Sequence, residues 1–446
     1  MKGSNQIHRG QQGSILVVVC AFVLFSVWMV IGILDIASNT RRVSQEQVDM
    51  EKAMYVAEGG LERGARFMES NLVVVVSSAT GCTNGSGSVG SGSYTFSIIR
   101  SNGASSTYLI VATGTVSSAL SGKGVTRVCS LLNVYQPTYA EFALWSATNG
   151  IIYFIDGEVF NGHVHADDEL YFDASGGGPI FHSAVTSGAS TYGIQNGALA
   201  SIEMDQGLTL NSPQGSMADV DFSSASSKSL KSIATSSGLV LTGPSTITFN
   251  GGTLSIINSV KGWSTSHPGS YSISGDTIIY AANASSSSSG TVYFAGGHVT
   301  GRLTVASEAD MTIGGNITYT TDPSTHPAST DALGLVSKAD VWVGTSAPNN
   351  LVIDAAIMAT GASLATADNG SFGVINYDSG SPRGSLTLYG GIVQEVRGAV
   401  CTFSGSTVNH GYSKNYSYDP RFITKPPPYY PTISNRVSFA QWTEGH

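Results

Sequence analysis

Between Ser14 and Leu34 the chain carries no charged side chain, and no proline interrupts it from Ser14 to Ser70. About 20 apolar residues at a rise of ~1.5 Å cross a hydrocarbon core of about 30 Å. The whole proline-free stretch therefore predicts one continuous helix about 80 Å long. A secretory signal has an apolar core of only about 7–15 residues and ends at a small-residue cleavage site on its far side. Here the far side runs Asp35-Ile-Ala-Ser-Asn-Thr-Arg-Arg42 and continues into a helical pattern instead. From Val43 to Met68 the apolar residues Val48, Met50, Ala53, Met54, Ala57, Leu61 and Ala65 recur mostly three and four apart, while Glu46, Asp49, Glu51, Lys52, Glu58, Glu62 and Arg63 take the other side. That spacing predicts a helix with one apolar face. The first half is expected in lipid and the second outside it, packed on a globular body.

The near side of the run is a short basic leader: Lys2, His8 and Arg9, then Gln11-Gln12-Gly13 directly before Ser14. It resembles a class III, prepilin-type signal, in which a peptidase at the cytoplasmic face cuts after the glycine and leaves the helix in the mature chain. The resemblance implies cleavage between Gly13 and Ser14. The stretch AEGGLERGA at 57–65 is similar to the corresponding region of PilX-like minor pilins and pseudopilins. The likeness implies prepilin peptidase as processing partner, methylation of the new amine, contacts with other pilins through Ile15–Leu34, and service in a type IV pilus or type II secretion machine. Major pilins carry a glutamate at the fifth mature position, where this chain has Val18. A carboxylate in lipid is kept only where it finds a partner, so its absence points to a minor, initiating or tip subunit. Asp35, the first acid after the run, is expected at the membrane interface. Lys2, His8 and Arg9 favour a cytoplasmic N-terminus while Arg41 and Arg42 pull the other way. The leader resemblance decides for a single-pass protein of the bacterial inner membrane with an extracytoplasmic body, presented at a pilus tip or cell surface.

Charge narrows the functions open to that body. Residues 1–70 balance seven Lys/Arg against seven Asp/Glu, so the net charge of −9 belongs to the remainder. An acidic body has no general attraction for nucleic acid, and no nucleic-acid partner is expected. Of the four cysteines, Cys20 falls in the apolar run. Cys82 and Cys129 flank a strand-rich segment and are candidates to close it, a pairing that depends on a Cα separation the sequence does not contain.

After the helix, GSYTFSIIRSNG, STYLIVATGTVS and VTRVCSLLNVY are strand-like runs divided by Gly/Ser/Asn turns, predicting a small antiparallel module over 71–138. From 139 the texture changes to runs of a few residues between Gly, Asn and Asp corners: IIYFIDG, EVFNG, ELYFDASGG, and later TVYFAGG, RLTVASEA and DMTIGG. Strands that short bury little as hairpins but stack well as rungs. The expected fold is α+β: a transmembrane pilin-like helix (14–70, behind a 1–13 leader), the antiparallel module, and a mainly-β body over 139–425 forming an irregular right-handed β-helix or solenoid. A large β-sandwich is the competing topology. From Gly290 onward, GTVYFAGGHVTGRLTVASEADMTIGGNITY, LVIDAAIMAT and YDPRFITKPPPYYP resemble the repetitive β domain, of no assigned activity, that follows PilX-type N-termini. Pro426–Pro428 cannot donate to a ladder, so 426–446 is expected as a cap, with the prolines in polyproline II form across the end of the solenoid.

One constellation invites chemistry: His163-Val-His165-Ala-Asp167-Asp168-Glu169, with His182 further on. In a strand His163 and His165 share a face, and with Asp167 they make a candidate metal set. Acids for a glycan-active enzyme exist in Asp156, Glu158, Asp167, Asp168 and Asp173, but Lys and Arg are absent from 140 to 227. The chain has no GxxxxGK[ST] phosphate loop. The expectation is a non-enzymatic protein without a cofactor, with a surface adhesin or carbohydrate-binding protein as the alternative and a glycan-active enzyme behind it.

Overall fold

The computed structural model describes residues 11–77, 82–100, 107–120, 122–285, 288–361, 369–404, 407–433, 437–439 and 441–445, without the side chains of 11–14, 70–77 and 82. One helix, α1 (Gln11–Ser77), runs for 67 residues, past the predicted end at Ser70, and is about 100 Å long at the α-helical rise. It is the one helix among the described residues long and apolar enough to cross a membrane. A mainly-β body follows, built from antiparallel and parallel sheets.

Strands β1 (Cys82–Val89), β2 (Gly92–Arg100), β3 (Tyr108–Ser117) and β4 (Gly124–Val134) pair antiparallel in chain order. Alternation puts Tyr94, Phe96 and Ile98 of β2 and Ile110 and Ala112 of β3 on one face, as period-2 geometry requires. Against that face α1 buries Ala53, Val56, Ala57, Leu61 and Met68. The approach is close because glycine stands on both sides of the seam. A Cβ on Gly60 would lie 3.1 Å from the Ala112 Cβ, and one on Gly64 would lie 2.9 Å from Ile110 Cγ2. The AEGGLERGA stretch is thus the helix surface that meets the sheet.

Beyond the module most strands pair in parallel, apart from antiparallel pairs such as Ser245–Gly251 with Thr253–Asn258 and Cys401–Ser404 with Thr407–Tyr418. Phe142–Thr148 (β5) pairs with His163–Ala166, which pairs with Val185–Ser187, then Leu208–Thr209. A second series starts at Leu239–Thr242 and steps through Asp276–Ala282, Arg302–Ser307, Ala332–Ser337, Leu351–Ala359 and Pro382–Val396. The last strand of this later series pairs with β5, the first strand of the earlier one, with Ile392 opposite Leu144. The two series therefore form one ladder whose spatial order is not chain order. One inward row runs Leu239, Ile279, Val305, Leu335, Ile357, Ile392, Leu144, Val164, Val185, Leu208, all packed in or against one core cluster. Each rung supplies an aliphatic side chain to its neighbours. Burying one such side chain is worth about 1.5–3 kcal/mol.

The outward row of the same ladder begins apolar, with Tyr280, Ala306, Val336, Met358, Val393 and Trp145, then becomes His165 and Thr186. Its apolar part is covered by the segment that returns from one end of the ladder to the other. Met217, Phe222 and α2 (Leu230–Ser237), through Leu230, Ile233 and Ala234, join it in a second core cluster with Phe422 and Tyr430. Ser229 caps α2 by accepting from the Ser232 N–H at 3.2 Å, the usual arrangement for a serine N-cap.

Two expectations are corrected. Pro426–Pro428 does not lie across the end of the ladder. It runs beside the ladder, where Arg302 Nη2 donates to the Pro426 carbonyl at 2.7 Å and Thr304 donates to that of Pro428. A turn then closes from the Tyr430 N–H to the Pro427 carbonyl, with Tyr429 at φ 56°. Residues 426–446 are also no separate cap, since Gln441–Gly445 adds to β4 as a fifth antiparallel strand. The second correction concerns Cys82 and Cys129. They lie on β1 and β4, with two strands between them. At about 4.8 Å per strand that is about 14 Å, against a Cα limit of about 7 Å for a disulfide. The side chain of Cys82 is outside the described residues, and the Cys129 thiol is free and buried.

Candidate functional site

Two regions hold the residues singled out by the sequence. The first is the N-terminal half of α1. Gly13 and Ser14 are in its first turns, with side chains outside the described residues. From Ile15 to Ile36 the large apolar side chains are exposed on every side of the helix, Val18 at 62% and Trp28 at 74% among them. The second half is buried on one face only. An isolated helix that is apolar all round lacks a solvent that suits it until lipid or other helices surround it. The division falls between Ile36 and Asp49, where Arg41, Arg42 and Glu46 are exposed and Arg42 pairs with Glu46 at 3.5 Å.

The second region is the histidine segment. Val164 points into the core, which leaves His163 and His165 on the outward side of the rung. Thr186, on the next rung opposite His165, brings the two together: its Oγ1 lies 2.8 Å from His163 Nε2 and 2.7 Å from His165 Nδ1. His165 Nε2 lies 2.8 Å from Asp167 Oδ1. One set of tautomers satisfies every contact. His165 donates from Nε2 to the Asp167 carboxylate, Thr186 donates to His165 Nδ1, and His163 donates from Nε2 to the threonine oxygen. The Phe142 ring packs against His163 at a centroid distance of 4.4 Å, and Trp145 meets His165 edge-on at 5.0 Å. Burial, with His165 as the smaller cause, holds His163 down at about 4, so this ring is neutral near pH 7. A cation held by His163, His165 and Asp167 would have to replace hydrogen bonds that already occupy both nitrogens of His165. Thr186 is the residue that sequence reading missed. It stands 21 positions from His165, and only the rung pairing shows that they are neighbours.

His182 is elsewhere, 3.1 Å from Asp205 Oδ2. With Glu203 it forms an exposed group of potential metal ligands whose atoms lie within 4.8 Å of one another. The acids considered for glycan chemistry are dispersed in corner contacts. Glu158 pairs with Lys414 at 2.5 Å. Asp168 accepts from the Asn149 N–H at 2.8 Å. Asp173 accepts from the Ser175 N–H and from Gln195 and Asn196, and hydrogen bonds of this kind hold its carboxyl down at about 2 despite an opposing desolvation, the largest single contribution. Glu169 accepts from Tyr171 at 2.7 Å and from Thr191. The contacts of Asp168 with Asn149, of Asp173 with Gln195 and Asn196, and of Glu169 with Thr191 tie one corner of the ladder to the next, whereas Asp173 with Ser175 and Glu169 with Tyr171 lie within a corner.

No protein-family model matches the chain, and no curated protein matches it in sequence. Among solved structures, the chain is similar to the competence-associated pilin ComZ from Thermus thermophilus, at 12% identity over 89% of this chain and 97% of that one, with a TM-score of 0.35. A likeness of that degree carries no argument about this chain, whose reading rests on its own residues.

Proposed function

We propose that the chain is a minor pilin or pseudopilin-like envelope protein, anchored in the bacterial inner membrane by α1 and contributing to assembly or tip presentation in a type IV pilus or type II secretion machine. The observation that carries this reading is the division of α1. Its first half is apolar on all sides and exposed from Ile15 to Ile36, while its second half is committed to an antiparallel sheet through Ala53, Val56, Ala57 and Leu61. A helix built that way serves both as an anchor and as a surface for the same helix of neighbouring subunits. Prepilin peptidase removes residues 1–13 between Gly13 and Ser14, and the apolar surface of Ile15–Leu34 then meets other pilins. Val18 in place of a membrane carboxylate suits a subunit added in few copies.

In this reading the body is extracytoplasmic and its parallel ladders coil as a right-handed β-helix, the hand that parallel crossovers strongly prefer. The body is non-enzymatic. The bonding of Asp168, Glu169 and Asp173 into corners of the ladder supports a structural role for these acids, and the His163–Thr186–His165–Asp167 chain closes its outer row.

The test is the N-terminal residue of the protein recovered from its native membrane, read by mass spectrometry. A mature chain that starts at Ser14, with a methylated amine, supports the proposal. A chain that retains Met1, or is cut beyond Leu34, overturns it.

A further inference from the structure

The outside of the body carries two histidine groups, and they differ in what they leave available. Both ring nitrogens of His165 are already bonded, to Thr186 and to Asp167. His182 belongs to a separate small sheet, in which Val159–Phe160, Ile180–Phe181 and Glu203–Met204 pair in parallel. Phe160, Phe181 and Met204 pack in or against the core, so the residues beside them in the chain face outward, as alternation requires. Glu203 and Asp205 flank Met204 and share that outward side. His182 follows Phe181 on the neighbouring rung, and all three residues are exposed.

The register brings three donor side chains to one place. His182 Nδ1 lies 3.1 Å from Asp205 Oδ2, and one ligand atom from each of His182, Glu203 and Asp205 lies within 4.8 Å of the other two. Backbone bonds fix this spacing: the His182 N–H donates to the Phe160 carbonyl at 2.9 Å, and the Asp205 N–H to that of Phe181 at 3.0 Å. Two ligands ~2.0–2.2 Å from one metal ion, at octahedral to tetrahedral angles, are about 2.8–3.6 Å apart. The His182–Asp205 pair already stands at that separation. Glu203 is exposed and closes the remaining gap by rotation about its own side-chain bonds, a motion open to any exposed side chain.

Charge gives the reason for a cation. Two carboxylates this close repel each other, and neither pairs with a lysine or arginine among the described residues. Other acids of this part of the body are provided for within the chain. Glu158 takes Lys414, and Asp173 takes the N–H groups of Ser175, Gln195 and Asn196. The Glu203 carboxylate has no partner of either kind among the described residues. The donor set then selects the ion. Ca²⁺ and Mg²⁺ take oxygen ligands from carboxylates, carbonyls and water, whereas an imidazole joined to two carboxylates suits a divalent transition ion such as Zn²⁺. Exposure leaves the other coordination positions to water.

We infer that His182, Glu203 and Asp205 bind a divalent transition-metal ion of the Zn²⁺ type through one imidazole nitrogen and two carboxylate oxygens. The ion bridges the rungs Ile180–Phe181 and Glu203–Met204 on the outside of their sheet. It sits on a different sheet from the set His163, His165 and Asp167 that the sequence suggests. The inference is independent of how the N-terminus is processed.

The test uses the full chain in detergent, stripped of metal and titrated with Zn²⁺ by isothermal calorimetry. Saturable binding at micromolar Zn²⁺ is expected, weakened at least tenfold by either His182→Gln or Asp205→Asn and also by Glu203→Gln. An exposed pair contributes little to the fold, so without metal the three variants should melt with the parent protein. His298, another exposed histidine, supplies the control: His298→Gln should bind as the parent does. X-ray absorption at the zinc edge should show one imidazole and otherwise oxygen neighbours. Absence of saturable binding overturns the proposal, as does binding that survives unchanged in both His182→Gln and Asp205→Asn. An equal loss in His298→Gln, sulfur among the zinc neighbours, or tighter binding of Ca²⁺ than of Zn²⁺ overturns it too.

Discussion

Gly114 on β3 offers a sharp test of the seam between α1 and the sheet, because two general effects there act in opposite directions. Replacing a glycine by alanine, where the backbone allows it, stabilises a protein by ~0.4–1 kcal/mol through the unfolded state. Sterically the same change is unfavourable here. A Cβ on Gly114 would lie 2.3 Å from the Ala53 carbonyl oxygen and 2.4 Å from the Ala57 nitrogen. Both are helix backbone, which has no rotamer to move away. Restoring a normal separation of about 3.5 Å requires α1 to lift by about 1 Å, and a gap of that size forfeits roughly a quarter to a half of the contact energy along the seam. Overpacking of this kind costs ~1–3 kcal/mol, so Gly114→Ala should be destabilising by about 1–2 kcal/mol in net terms. Gly124→Ala on β4 is the control, since its Cβ would meet only the Thr115 Cγ2 methyl, at 3.3 Å. The assay is denaturant unfolding of the full chain in detergent, with hydrogen exchange read at Ala53–Leu61. Gly114→Ala should lower the midpoint and speed exchange in that stretch relative to Gly124→Ala. Equal stability and equal protection in the two variants would refute the close-approach argument.

Leu144→Ala removes a buried side chain where the two strand series meet. It should cost about 2–5 kcal/mol and speed hydrogen exchange at both Ile392 and Val164, although these residues are far apart in the chain. Glu141 gives a pH dependence: burial pushes its carboxyl up from 4.5 to about 7, opposed by a hydrogen bond from Thr138. The folded state holds this proton more tightly than the unfolded state. The contribution is therefore complete below pH 4.5 and is lost as the pH rises through about 7, at no more than ~1.4 kcal/mol per pH unit before reduction for partial exposure. Glu141→Gln should flatten that part of the stability profile in pH-dependent thermal unfolding.

The helix and the module were legible because their signals are local. An uncharged run without proline, the three- and four-residue spacing after Val43, and the alternation in GSYTFSIIR each predict an element from its own residues. The glycines of AEGGLERGA could be noticed but not explained, because their partners Ala112 and Ile110 are about fifty residues away. The ladder was legible only as texture. Short runs between turns point to stacked strands, but which rung lies on which depends on pairings such as Ile392 with Leu144. The histidine segment shows the same limit. Placing His163 and His165 on one face follows from period 2, whereas the link through Thr186 depends on a register that periodicity does not carry. The proline run misled for a related reason. Lack of an N–H says where Pro426–Pro428 cannot pair, but their carbonyls remain acceptors, and Arg302 and Thr304 use them.

Joining β5 to Pro382–Val396, and β4 to Gln441–Gly445, has a consequence for how the protein is made. While residues 142–209 are emerging, the strand that completes their inner edge has yet to be synthesised, and the module lacks its outer strand until Gln441–Gly445 arrives. Non-local pairing of this kind folds slowly and leaves strand edges open meanwhile. Until both pairings form, the body and the module are incomplete. Loss of Gln441–Gly445 alone would leave β4 as an open edge beside a sheet that is otherwise paired, so one five-residue strand decides whether β4 presents a template for pairing with another chain.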